Sequence, residues 1–338
     1  MYSTLGLSGA PSRSLPQSPL GDVLSFVTPY WSGHAMMRIH LQSIRRFFPT
    51  APILVSKKGG GYEEMEEYRT DFRIQYWIEE CNYSDALLGL LGRCETEYVC
   101  ILDHDTVLLA DPTYLLVGLV DRRWDMVGIE ERIRDHPAIN GARLWPQNRG
   151  WMRLAPGYTD ATLLMFNFRE FMRRWGLRGL RPKKPFPTDY EFHYGICEKH
   201  TQHKYLLPFH TPRYGIGNVL KDDDIAVLWH QWFGAYRTRL EGPEADVLPG
   251  TRQLAGTIRQ GEEVFLADYP NLDLSNLTPA WGPNYDIHAE RREVLRALPP
   301  YPGLLEQLKT RLNRWRHYNI RKFVLHAIRW VERWWRML

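Results

Sequence analysis

From Asp22 onward, short continuous apolar runs alternate with stretches of helical periodicity, and this alternation narrows the available folds more than any other feature of the chain. Residues 23–28, 53–56, 72–78 and Tyr98–Leu102 read as buried strands, and residues 35–47 and 85–93 as helices. Strands that are apolar on both faces, with helices between them, predict an α/β fold with a mostly parallel sheet covered on both sides by helices. The 338 residues, 44% hydrophobic and 24% charged, suffice for one large core and exclude wholesale disorder. After about Trp124 the alternation loosens, and a polar, Arg- and Trp-rich stretch over 130–153 precedes another apolar segment at 161–168. Excursions of that length commonly form substrate-facing loops.

The sharpest chemical signal follows the strand Tyr98–Leu102, where Asp103-His104-Asp105-Thr106 begins without a break. Ligands of open α/β sheets bind outside the carboxyl ends of strands, and these carboxylates stand at such an end. With one residue between them in an extended chain, Asp103 and Asp105 point to the same side and can share a hard divalent cation such as Mg²⁺ or Mn²⁺. The competing reading is an Asx turn or helix cap at the strand end. Two carboxylates directly after a buried strand repel each other unless neutralised, which favours the metal.

With Ser25-Phe26-Val27-Thr28-Pro29-Tyr30, Tyr98 to Thr106, Asp160 to Phe168, Thr188-Asp189-Tyr190-Glu191 and Leu228-Trp229-His230 taken in order, the sequence resembles the GT-A fold of nucleotide-sugar-dependent glycosyltransferases over roughly residues 22 to 240. The resemblance implies a Rossmann-like sheet, a UDP- or GDP-sugar donor over its first half, Mn²⁺ or Mg²⁺ on the Asp-x-Asp pair, and an acceptor site in the second half. Carried over residue by residue, Asp105 resembles the direct metal ligand and Asp103 a contact to ribose or to metal-bound water. His230 resembles a third metal ligand, and the alternative for it is a core histidine satisfied by backbone. Thr28, Tyr30 and Asp85 fall where the family contacts base or ribose.

An inverting transfer needs a carboxylate to deprotonate the acceptor hydroxyl, and Asp189 is the candidate. Thr188 and Glu191 have the spacing of a capping box, which gives Glu191 a structural part and leaves Asp189 between catalysis and the helix dipole. The segments Met165-Phe166-Asn167 and His230 to Gly234 are equally similar to retaining, glycogenin-like families, where no such base is required. Both stereochemical courses stay open. Asp222-Asp223-Asp224 reads as an acidic turn.

The four cysteines have no Cys-x-x-Cys spacing, which argues against a disulfide scaffold or a zinc module and for reduced thiols in the cytoplasm. Charge is unevenly spread. Residues 301–338 hold nine Lys/Arg against Glu306 and Glu332, so the remainder of a chain of net charge +4 is acidic, and no nucleic-acid partner is expected. On a helical projection, Ile320, Phe323, Val324, Ala327, Ile328, Val331, Trp334, Trp335 and Leu338 form one apolar arc opposite Lys322, Arg329, Arg333 and Arg336. Such a basic amphipathic helix suits an anionic membrane interface, or packs on the domain as ordinary core.

The expected division is a flexible tail at 1–20, a catalytic domain at 21–290 and a helical extension at 291–338. The expected setting is cytoplasmic, peripheral on the inner face of the membrane. The expected function is metal-dependent transfer of a sugar to a glycan or glycolipid acceptor. Its rivals are a sugar nucleotidyltransferase, which would carry a Gly-rich basic loop after the first strand where Val27-Thr28-Pro29-Tyr30-Trp31 stands, and a membrane-bound scaffold with a transferase-like fold.

Overall fold

The computed structural model describes residues 23–129 apart from 32, 59–61 and 80–82, then 162–180, 191–231 apart from 198, and 251–279 apart from 276. The proposed tail at 1–20, the extension at 291–338 with its amphipathic helix, and Asp189 with Thr188 lie outside these residues.

Eleven strands form one sheet. They are β1 (Leu24–Tyr30), β2 (Ile53–Lys58), β3 (Gln75–Glu79), β4 (Tyr98–Leu102), β5 (Thr106–Leu108), β6 (Met126–Ile129), β7 (Leu163–Asn167), β8 (His203–His210), β9 (Asn218–Asp222), β10 (Ile225–His230) and β11 (Thr278–Pro279). The order is β3-β2-β1-β4-β7-β6-β8-β9-β10-β5, with β11 beside β8. The helices are α1 (His34–Phe47), α2 (Tyr62–Phe72), α3 (Tyr83–Leu91), α4 (Thr113–Val120), α5 (Phe168–Trp175), α6 (Glu191–Cys197) and α7 (Thr251–Asp268).

The first four strands in the order are parallel, as their helical crossovers require. Past β4 the arrangement becomes mixed, because β7 runs antiparallel to both β4 and β6, and β8, β9, β10 and β5 pair antiparallel in series. The only parallel pair there is β6 with β8. β9 and β10 are joined by the two residues Asp223-Asp224, where Asp223 takes φ 50°. A two-residue link admits only antiparallel neighbours.

Both faces of the central strands are covered. Phe26, Cys100 and Met165 enter one core with Met37, Leu41 and Ile44 of α1, Met65 and Tyr68 of α2, and Leu115 and Leu116 of α4. Val27, Val99 and Phe166 enter the other with Leu87 and Leu90 of α3, Phe171 of α5 and Ile196 of α6. That double burial is why these strands read as continuous apolar runs.

The expected strand at 72–78 is instead the end of α2 followed by β3, and the sequence pattern had hidden α2. Its apolar stripe is narrow, Met65, Tyr68 and Phe72 at intervals of three and four, amid many charged residues.

One consequence of the connectivity decides where chemistry can occur. β4 is central and β5 is last in the order, yet only Asp103-His104-Asp105 lies between them. The sheet must therefore curl until its final strand returns to the carboxyl end of β4.

Candidate metal centre

Asp103 and Asp105 meet through a turn, and not through the strand alternation that the sequence suggests. The Thr106 amide and hydroxyl both donate to the Asp103 carbonyl, at 3.2 and 2.6 Å, folding the segment back on itself. β5 then pairs with β10 in a register that sets Thr106 opposite His230, while the Gln231 amide donates to the Asp105 carbonyl at 3.0 Å. His230 is thereby delivered to the carboxylates by sheet pairing.

One ligand atom from each of Asp103, Asp105 and His230 falls within 4.8 Å of the others. Opposite ligands of an octahedral ion with ligands at about 2.1 Å stand about 4.2 Å apart, a separation close to the outer bound of this cluster. His230 Nε2 lies 3.5 Å from Asp105 Oδ1. Its Nδ1 pairs with the Thr162 hydroxyl at 3.1 Å, a side-chain partner that fixes the ring and leaves Nε2 facing the carboxylate. Burial alone would raise the Asp105 carboxyl, but the neighbouring His230 charge and hydrogen bond, with His104 adding to them, hold it below the ordinary carboxylate range. An ionised, enclosed carboxylate with a second carboxylate and an imidazole beside it is a hard oxygen and nitrogen donor set suited to Mn²⁺ or Mg²⁺.

The turn is supported from beneath by residues that sequence reasoning missed. His40 of α1 is fully buried, and desolvation lowers its pKa to about 4, so it is neutral. Its Nδ1 donates to the Thr106 carbonyl at 2.8 Å, and its Nε2 accepts from the Thr28 hydroxyl at 3.0 Å. Ser43, one turn on, accepts from the Leu108 amide at 3.0 Å. Tyr83 at the start of α3 donates to Asp103 Oδ1 at 3.2 Å.

The residues expected at the nucleotide fall into different places. Thr28 is fully buried, and its hydroxyl is engaged with His40 beneath the turn. In this structure that hydroxyl orients the ring that holds Thr106. Tyr30 is 2% exposed, edge-on to His104 at 5.4 Å, with the Lys57 ammonium over its ring at 4.7 Å. Asp85 is exposed in the first turn of α3, two residues from the tyrosine that reaches Asp103. Glu191 is the first residue of α6.

No family model matches the sequence, and no curated protein matches it. Among solved structures, the chain is similar to a mannosyltransferase from Pyrobaculum calidifontis in complex with GDP-Man and Mn²⁺, at 16% identity over 74% of this chain and 76% of that one, with a TM-score of 0.40. It is similar to residues 1–349 of S. aureus TarS at 11% identity over 75% of each chain, TM-score 0.40. It is also similar to a 4-diphosphocytidyl-2C-methyl-D-erythritol synthase from Anaerococcus prevotii at 13% identity, over 55% of this chain and 88% of that one, TM-score 0.39.

Proposed function

We propose that the chain is a metal-dependent glycosyltransferase that moves a sugar from a UDP- or GDP-sugar to a hydroxyl acceptor. The observation that carries this reading is the convergence of Asp103, Asp105 and His230 at the carboxyl end of β4. Bound there, a divalent ion supplies charge stabilisation for the departing diphosphate. The chain's own residues do the rest. Asp103 and Asp105 present oxygens, Thr162 orients His230, and the His40 hydrogen bonds keep the turn from relaxing. Tyr30 and Lys57, at the ends of β1 and β2, border the same end of the parallel strands and offer a donor-side wall. For an inverting course Asp189 is the candidate base; a retaining course needs none. A glycan or glycolipid acceptor in surface-glycan assembly, reached at an anionic membrane face through residues 320–338, is the setting that the basic tail favours.

The test is a thermal-shift measurement with UDP and GDP, with and without Mn²⁺, followed by hydrolysis of UDP-glucose, UDP-galactose, UDP-N-acetylglucosamine and GDP-mannose. The expected result is a Mn²⁺-dependent shift with one nucleotide and Mn²⁺-dependent hydrolysis of at least one sugar. Asp105→Asn is expected to abolish the metal-dependent part of the shift and to lower turnover by about 100-fold or more, with the melting temperature within a few degrees of wild type. Undiminished metal-dependent turnover in that variant would sink the assignment.

A further inference from the structure

The row of side chains that contains His230 does not end there. Direct cross-strand partners align Thr106 of β5, His230 of β10, Asn218 of β9 and His210 of β8. Residues directly opposite on antiparallel strands project to the same face. The packing agrees with this. Leu108, Leu228 and Leu220, two residues along each strand, enter the main core together, whereas the intervening Val107, Trp229 and Val219 enter a separate cluster with Phe265 of α7. Asn218 therefore stands beside His230, on the face that carries the carboxylates and on the opposite side of His230 from Asp105.

Asn218 is 1% exposed, and neither its Oδ1 nor its Nδ2 has a hydrogen-bond partner among the described residues. Leaving a buried polar group unsatisfied costs about 1–3 kcal/mol, and native interiors satisfy roughly nine in ten of them. Asp105 and His230, its neighbours in the site, are enclosed to a similar degree, at 4% and 3%. The carboxamide's chemistry then selects the ligand group. A cation would use only its oxygen and a diphosphate only its N–H, whereas a hydroxyl, donor and acceptor at once, uses both. The cross-strand spacing sets the Asn218 and His230 Cβ atoms about 5 Å apart. A donor held at Asp103, Asp105 and His230 would bring its sugar beside this row of side chains.

We propose that Asn218 binds a hydroxyl of the sugar carried by the nucleotide donor. This rests on the glycosyltransferase reading and assigns the sugar-recognition side of its site.

The experiment is calorimetric titration, in the presence of Mn²⁺, of wild type and of the near-isosteric Asn218→Leu variant. Each is titrated with free UDP and GDP, and with whichever of the four nucleotide sugars above the wild type hydrolyses fastest. In the variant, free nucleotide is expected to bind within about twofold of wild type, while the nucleotide sugar binds about tenfold more weakly. The thermal midpoint is expected to match or exceed that of wild type, since an unsatisfied amide has been replaced by apolar surface. Asn218→Ser, which keeps a hydroxyl, serves if the leucine variant does not fold, and should show a smaller loss confined to the nucleotide sugar. Equal affinity of variant and wild type for the nucleotide sugar would overturn the proposal in favour of a water-satisfied amide. Equal loss for free nucleotide and nucleotide sugar would overturn it in favour of a structural part. A wild type that binds no nucleotide with Mn²⁺ would instead refute the glycosyltransferase reading, an outcome visible before any variant is made.

Discussion

His40 and His193 are both fully enclosed, and burial drives their pKa values down to about 4 and about 3. Each stays neutral in the fold while the unfolded chain takes up a proton near pH 6.5, so stability is intact above that pH and is lost as pH falls toward the folded values. Between pH 7 and pH 5 the loss is about 2 kcal/mol per imidazole. Urea unfolding at the two pH values should show it, and His193→Phe should remove one such share; a slope unchanged by that substitution would count against the assignment.

The same residue scale shows what sequence could and could not disclose. Asp103 and Asp105 were legible because they stand one residue apart in the chain and follow a strand. Asp85 was singled out by its position before the Asp pair, yet Tyr83 is the residue that donates to Asp103. His40, Thr162 and Asn218 carry no local signal at all, because their neighbours are supplied by other strands and helices. Thr28 was noticed for its place on β1, but only the fold reveals that its hydroxyl faces α1.

Among the elements, α7 has the most exacting fit. Buried Glu262 accepts from Gln231 Nε2 at 2.9 Å, tying the helix to the residue after His230. The helix comes close enough for this because Gly261 has no side chain: a Cβ there would lie 2.2 Å from the Tyr214 carbonyl oxygen. Gly215 opposite adopts φ 69°, and a Cβ there would lie 2.5 Å from the Thr257 carbonyl oxygen. Backbone cannot yield as a flexible side chain would, so Gly261→Ala is expected to push α7 off the sheet. The cost is about 2–3 kcal/mol, read as a lowered urea midpoint, and Mn²⁺-dependent turnover falls with it as Gln231 loses its anchor. An alanine variant with an unchanged midpoint would show that the helix does not seat as described. β4, buried on both faces, was read from sequence to the residue. β5 and the β9–β10 hairpin were not, because strands of three to six residues are too short for a period to declare itself.

For the whole molecule, the separation of charge is the feature that reaches beyond the catalytic chemistry. The basic residues after 301 contrast with an acidic remainder, and no helix among the described residues is long and apolar enough to cross a membrane. Liposome flotation provides the check. Full-length protein is expected to float with vesicles containing anionic lipid, and a chain ending at residue 319 to remain at the bottom, with added salt weakening the attachment. Equal flotation of both chains would refute a membrane role for the terminal segment. The general α/β class was legible at this scale from strand and helix alternation, whereas the switch to antiparallel pairing beyond β4 depends on turn lengths and partners that no periodicity encodes.

The pairing of β5 with β10 also sets an order of events during synthesis. Ribosomes deliver Asp103 and Asp105 early, but the imidazole that joins their cluster arrives only after β6 to β9 have been made. A nascent chain short of His230 thus holds two carboxylates without their third partner. The three side chains therefore meet only when the curl closes.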